Sequence, residues 1–152
     1  MKPIPHSLIL TIGVLALVLL ATACTSAATP TPANSIQGIN WQWTSITNQT
    51  TKETTSIPKP ENYTITFNAD GTLTGKADCN IFNGTYSQEN GFTITLGATT
   101  MAFCGEASLD QQYLQLLGSV AAGGPDGTGN LALETAGGEQ RMLLKNGGTA
   151  MK

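Results

Sequence analysis

Histidine is nearly absent from this 152-residue chain, which has only one, His6. Charge is also scarce, at 11% of residues where globular domains carry ~25%. Aromatic side chains make up 6%. Each shortage excludes something. Seven basic residues, scattered from Lys2 to Lys152 against ten acidic ones, leave a net charge of −3 and no basic field to hold phosphates; nucleic acid is excluded as a partner. So few charges also argue against a disordered polyelectrolyte tail or a long exposed coiled coil. No apolar stretch reaches the ~20 residues of a membrane-spanning helix. The length suits one domain.

The longest apolar stretch, Leu8–Leu20, follows Lys2 and precedes Ala21-Thr22-Ala23-Cys24. This reads as a bacterial export signal over residues 1–23, with Cys24 the lipidated residue of a lipobox in which Ala21 replaces the usual Leu. An ordinary secretory signal cut near Ala21-Thr22-Ala23 is the alternative. Either cut removes His6, so the exported chain has no imidazole. Residues 24–37, rich in Thr, Pro and Ala, read as an extended tether. The expectation is a lipid-anchored, extracytoplasmic protein of a bacterial envelope, with Thr25 and Ser26 after the anchor favouring the outermost leaflet available.

Beyond the tether the apolar residues recur every second position. Ile39, Trp41 and Trp43 share one face; Tyr63, Ile65 and Phe67 alternate with Thr, as do Phe92, Ile94 and Leu96. Leu131–Leu133 and Met142–Leu144 add two weaker strands. Asn68-Ala69-Asp70-Gly71, Glu89-Asn90-Gly91 and Ala136-Gly137-Gly138 supply hairpin turns, which force antiparallel neighbours. One segment changes period. Leu109, Tyr113, Leu116, Leu117 and Val120 predict a helix with Ser108 as N-cap, Gln111 completing a capping box, and Gly123-Gly124-Pro125 as its stop. The predicted fold is mainly β (α+β): a curved, barrel-like antiparallel sheet with one packed helix.

Cys79 and Cys104, in an oxidising compartment, are expected to form a structural disulfide. A metal-binding pair lacks both C-x-x-C spacing and a histidine. Ser–His and Cys–His nucleophiles need an imidazole that the exported chain does not have. Ser56-Ile57-Pro58-Lys59 matches Ser-x-x-Lys only formally, in a Pro-rich loop. Asp78, Glu106 and Asp110 are the carboxylates from which an acid–base pair could be drawn, but surface and helix-end roles suit them better. No enzyme activity, metal or cofactor is expected. Trp41, Trp43 and Tyr113 are the candidate ligand-facing aromatics; core packing is the plainer reading of the two tryptophans.

The string Gly71-x-x-x-Gly75-x-x-x-Cys79-Asn80-x-Phe82-x-Gly84-x-Tyr86 resembles the signature of the META domain family of HslJ-like heat-shock lipoproteins. The resemblance continues through Thr99-Thr100-Met101-Ala102-Phe103-Cys104 and the acidic-led Asp110–Leu117 segment, and spans most of residues 38–146. Asp78 stands where the family has Gly, and Phe103 intervenes before Cys104. The resemblance implies a barrel-like antiparallel sheet with a helix, frequent lipid anchoring, and association with heat shock and with envelope or antibiotic stress. The motif residues Gly75, Asn80, Phe82, Gly84 and Tyr86 read as scaffold rather than site. A tail over residues 147–152 completes the division. Two functions follow as expectations: a non-catalytic module acting through an envelope protein partner, or a pocket for a lipid or small hydrophobic ligand. A vacant cavity beside Trp41, Trp43 and Tyr113 favours the second; a filled interior with an exposed apolar patch favours the first.

Overall fold

Threonine alternating with Tyr63, Ile65 and Phe67 makes a strand with one dry and one wet face, and that strand is the model for the rest. The computed structural model of the chain describes residues 35–150. The leader, Cys24 and the tether as far as Asn34 lie outside the described residues. Among the described residues nine strands and one α-helix follow in order: β1 (Ile39–Asn48), β2 (Thr54–Ser56), β3 (Tyr63–Phe67), β4 (Thr72–Ala77), β5 (Asn80–Ser87), β6 (Thr93–Thr99), α1 (Asp110–Gly118), β7 (Val120–Pro125), β8 (Leu131–Thr135) and β9 (Gln140–Thr149). They form one antiparallel sheet ordered β6-β5-β4-β3-β1-β9-β8-β7, with β2 beside β1, curled into a half-barrel. The expected fold class is the observed one.

Hairpin chemistry sets the order. Asn90 (φ 59°) and Gly91 (φ 125°) take the left-handed conformations that a tight β5–β6 turn requires. The central pair β1–β9 closes the two halves of the chain onto each other, and its register slips between Trp43 and Ser45. That bulge turns Ile46 inward where strict alternation would have buried Ser45.

α1 lies across the sheet with Tyr113, Leu116 and Leu117 inward. Their partners include Trp43, whose ring stacks on Tyr113 at 5.2 Å between centroids, and Tyr63, edge-on to both. Burying such rings contributes several kcal/mol.

Several boundaries differ from the sequence reading. α1 starts at Asp110, with Leu109 as N-cap and no side-chain cap bond. Ser108 Oγ instead accepts from the Asp110 amide at 3.2 Å, and the Leu109 amide is satisfied by Tyr63 Oη at 2.9 Å. The capping box is therefore replaced by a tertiary bond. Val120 and Gly123-Gly124-Pro125 are not helix and helix stop; they form β7, paired with β8. A Cβ on Gly123 would meet Leu133 Cδ2 at 2.6 Å and Ala132 O at 3.1 Å, so a larger residue there would make the buried Leu133 shift. The tether ends earlier than read: Ile36 is in the core and Gln37 bridges Phe67. The tail shrinks too, since β9 runs to Thr149 and the Ala150 amide donates to Gly38 O at 3.0 Å.

Candidate functional site

β4 and β5 are joined by the two-residue turn Asp78–Cys79, with Ala77 and Asn80 paired across it. Asp78 takes a left-handed φ of 58°, a conformation costing a non-glycine residue ~1–2 kcal/mol. A short polar side chain offsets that cost: Asn62 Nδ2 donates to Asp78 Oδ1 at 3.0 Å. Here the chain keeps, with Asp, a turn for which Gly is the freer choice.

The glycines of the string are steric necessities. A Cβ on Gly75 would sit 2.2 Å from Phe82 Cζ and 2.4 Å from Thr64 O. Gly75 faces Phe82 across the β4–β5 ladder, so the missing side chain is the space the ring fills. A Cβ on Gly84 would meet Thr95 O at 2.2 Å. Tyr86 donates its hydroxyl to Asn68 O at 2.8 Å and accepts from Gln37 Nε2 at 2.9 Å, tying the entering chain to β5.

Asn80 is the hub of the corner. It is 2% exposed. Its Oδ1 accepts from the Ala102 amide at 2.7 Å and from Thr100 Oγ1 at 3.1 Å. Its Nδ2 lies 3.0 Å from Ala102 O, 3.1 Å from Asp110 Oδ2 and 3.3 Å from Cys104 Sγ. One side chain thus holds the loop after β6, the start of α1 and the disulfide. The Cys79–Cys104 bond is present, with its Cα atoms 5.5 Å apart.

With Ala102 gripped through both its N–H and its C=O, the neighbouring side chains are left in water. Met101 is 91% and Phe103 85% exposed, and Ile81, whose backbone pairs with Thr100, is 64% exposed. These are the large exposed hydrophobics among the described residues. They belong to one corner. Beside Ile81 a groove of about 860 Å³ runs over β3–β6, lined by Thr64, Thr66, Thr74, Lys76 and Asn83 among others.

Trp41, Trp43 and Tyr113 lie in the hydrophobic core. Trp43 and Tyr113 are fully buried, and Trp41 donates its indole N–H to Ile36 O at 2.8 Å. The interior around them is filled by Tyr63, Phe82 and Leu117. Tyr113 Oη is buried without a hydrogen-bond partner, and burial pushes its phenol well above the ordinary tyrosine range. An orphaned buried hydroxyl costs ~1–3 kcal/mol. Tyr113→Phe keeps the ring stack and is expected to raise stability by about 1 kcal/mol in thermal or denaturant melts.

The candidate carboxylates stay in separate roles. Asp110 accepts from Asn80, Asp78 accepts from Asn62, and Glu106 lines the rim of hollows of about 410 and 270 Å³ beside Cys104. Asp126 accepts from the Thr128 amide and hydroxyl and from Asn130; these bonds, that of the Thr128 amide first, hold its carboxyl down at about 2. It closes the β7–β8 turn. Asp70 is lowered likewise by Thr72. Among the described residues no group of three His, Cys, Asp or Glu gathers as a metal site.

A corner built on Gly75, the Cys79-Asn80 pair, Phe82 and Gly84, with a second cysteine after β6, has a counterpart among known families. The META domain profile matches residues 34–147. The chain belongs to the META domain family. Two solved structures share the fold of this META domain. A crystal structure of a DUF4847 family protein from Bacteroides vulgatus is 14% identical, covering 76% of this chain and 96% of its own, with a TM-score of 0.58. An NMR structure of a protein from Burkholderia xenovorans is 18% identical, covering 79% and 92%, also with a TM-score of 0.58. No curated protein matches the chain in sequence. The sequence names Asn80, Phe82 and the cysteines, and quotes Met101 and Phe103 only within the resemblance, without marking them or Ile81 as displayed. Phe103, inserted before Cys104, was the available signal.

Proposed function

We propose that this META domain is a non-catalytic, lipid-anchored, extracytoplasmic module that works by contact with another envelope protein and so supports tolerance of envelope or antibiotic stress. The exposure of Met101 and Phe103 in a pinned loop carries the reading. A large apolar side chain costs ~1.5–3 kcal/mol of burial free energy when left in water, and a rigid corner that leaves two of them there is suited to a partner's pocket. The filled core around Trp43 and Tyr113 favours this reading over a lipid or small hydrophobic ligand carried inside the barrel.

The chain's point of entry bears on the kind of partner. Gln37 contacts Tyr86, which lies six residues along β5 from Asn80, about 20 Å at ~3.3 Å per residue. The corner is therefore at the end of the sheet away from Gln37, and the partner proposed for it is a protein.

A deletion strain complemented with the double substitution Met101→Ser, Phe103→Ser tests the proposal under heat and envelope-acting antibiotics. The variant should melt within a few °C of wild type, since surface changes stay within about 0.5 kcal/mol, yet fail to restore survival. Cys24→Ser should fail in the same way, with the protein released from membranes. Full rescue by the double variant would refute the corner as the working surface.

A further inference from the structure

The two sulfurs of the Cys79–Cys104 bond are not equivalent. Cys79 is exposed at the tip of its turn, whereas Cys104 is half-buried. Cys104 Sγ accepts from the Cys79 amide at 3.3 Å and lies 3.3 Å from Asn80 Nδ2. Among the described residues no N–H donates to Cys79 Sγ. In thiol–disulfide exchange the sulfur whose thiolate is better stabilised is the better leaving group, and N–H donors stabilise a thiolate. The Asp110 carboxylate near the same amide opposes the charge, so the advantage of Cys104 rests on these two donors.

The Asn80 amide has two hydrogens and three acceptors: Ala102 O at 3.0 Å, Asp110 Oδ2 at 3.1 Å and Cys104 Sγ at 3.3 Å. A disulfide sulfur competes weakly for them. A thiolate competes strongly, because charge-assisted hydrogen bonds are roughly twice as strong as neutral ones. Cleaving the bond therefore draws a hydrogen from Ala102 O, the acceptor that holds Met101 and Phe103 in place.

We propose that Cys79 is a thiol-exchange site coupled to the apolar corner. A small-molecule thiol ionises, giving its proton to solvent, and its thiolate attacks Cys79 Sγ. A new S–S bond forms there, the Cys79–Cys104 bond breaks, and its electron pair leaves on Cys104 Sγ. The incoming thiol is oxidised to the mixed disulfide as Cys104 is reduced. Asn80 and the Cys79 amide receive the thiolate, and the loop at Ala102 loosens.

The test incubates the full-length chain in detergent with excess reduced glutathione and no denaturant, followed by acid quench and peptide mapping by mass spectrometry. The adduct should favour Cys79 over Cys104 by about tenfold. Asn80→Ser should reduce the preference several-fold, leaving the part that the Cys79 amide supplies. Should that variant not fold, Asp110→Asn serves instead: removing the negative charge that opposes the Cys104 thiolate should speed adduct formation several-fold. An adduct mainly on Cys104, no adduct until the protein is unfolded, or slower exchange in Asp110→Asn would each overturn the assignment.

Discussion

Removing the disulfide is expected to cost this META domain about 3.5 kcal/mol, the chain-entropy value for a closed loop of ~25 residues. The bond spans a sequence separation of 25 and encloses the whole β5–β6 hairpin, so the unfolded chain gains much freedom when it is lost. For a domain of this size that corresponds to a fall in Tm on the order of 10–15 °C. Scanning calorimetry of the double Cys79→Ala, Cys104→Ala variant checks it without reductant. Strained bonds repay less than the entropy estimate, but Cα atoms 5.5 Å apart sit within the ordinary range. An unchanged Tm would show that Asn80 alone holds the corner.

Asn80→Ala is expected to be comparably severe, at about 3–4 kcal/mol, because a buried carboxamide is lost while its partners remain. The Ala102 amide and Asp110 Oδ2 each lose a close bond, and Thr100 Oγ1 loses its nearer acceptor, keeping only Ile81 O at 3.5 Å. Leucine at this position would fill the space but leave the same groups unpaired, so it should not rescue. Asn80→Asp keeps the acceptor and sets a second carboxylate against Asp110. Its penalty should therefore shrink in acid, where protonation restores a donor. Urea midpoints at neutral and acidic pH separate the three variants. A loss below about 1 kcal/mol for Asn80→Ala would mean that water replaces the amide freely.

These two predictions rest on the part of the fold that the sequence displays most openly. Alternation through Tyr63–Phe67 places β3 to the residue, and the spacing of Tyr113, Leu116 and Leu117 identifies the buried face of α1. Elements without side-chain contrast were hidden. β7 is Val-Ala-Ala-Gly-Gly-Pro, in which only Val120 is buried, and β2 is three exposed residues. Pairing with β8 and β1 makes them strands; local pattern does not. The β1 bulge at Trp43–Ser45 was hidden for a different reason, since it answers to β9 at the other end of the chain.

The corner was half legible. Gly75, Asn80, Phe82 and Gly84 were singled out as scaffold, and the clashes a Cβ would make at each glycine give that reading its physical cause. Trp41 and Trp43 on one face could not be assigned to core or ligand from spacing alone, because both uses ask for the same alternation. What decides is Tyr113 of α1 stacking on Trp43 and the entering chain at Ile36 accepting from Trp41. Met101 and Phe103 could not be read as exposed for the mirror-image reason. Composition predicts burial, and only the grip of Asn80 on Ala102 explains why these side chains stay outside.

That grip is the centre of the account, and native-state hydrogen exchange at Ala102 measures it. Residues 101–103 are exposed and lie in no strand, yet the Ala102 amide donates to a buried oxygen at 2.7 Å. Its exchange should be slower than that of the Met101 and Phe103 amides by about a hundredfold or more. Uniformly fast exchange across the three would contradict the account, leaving a floppy apolar loop where a presented surface is claimed.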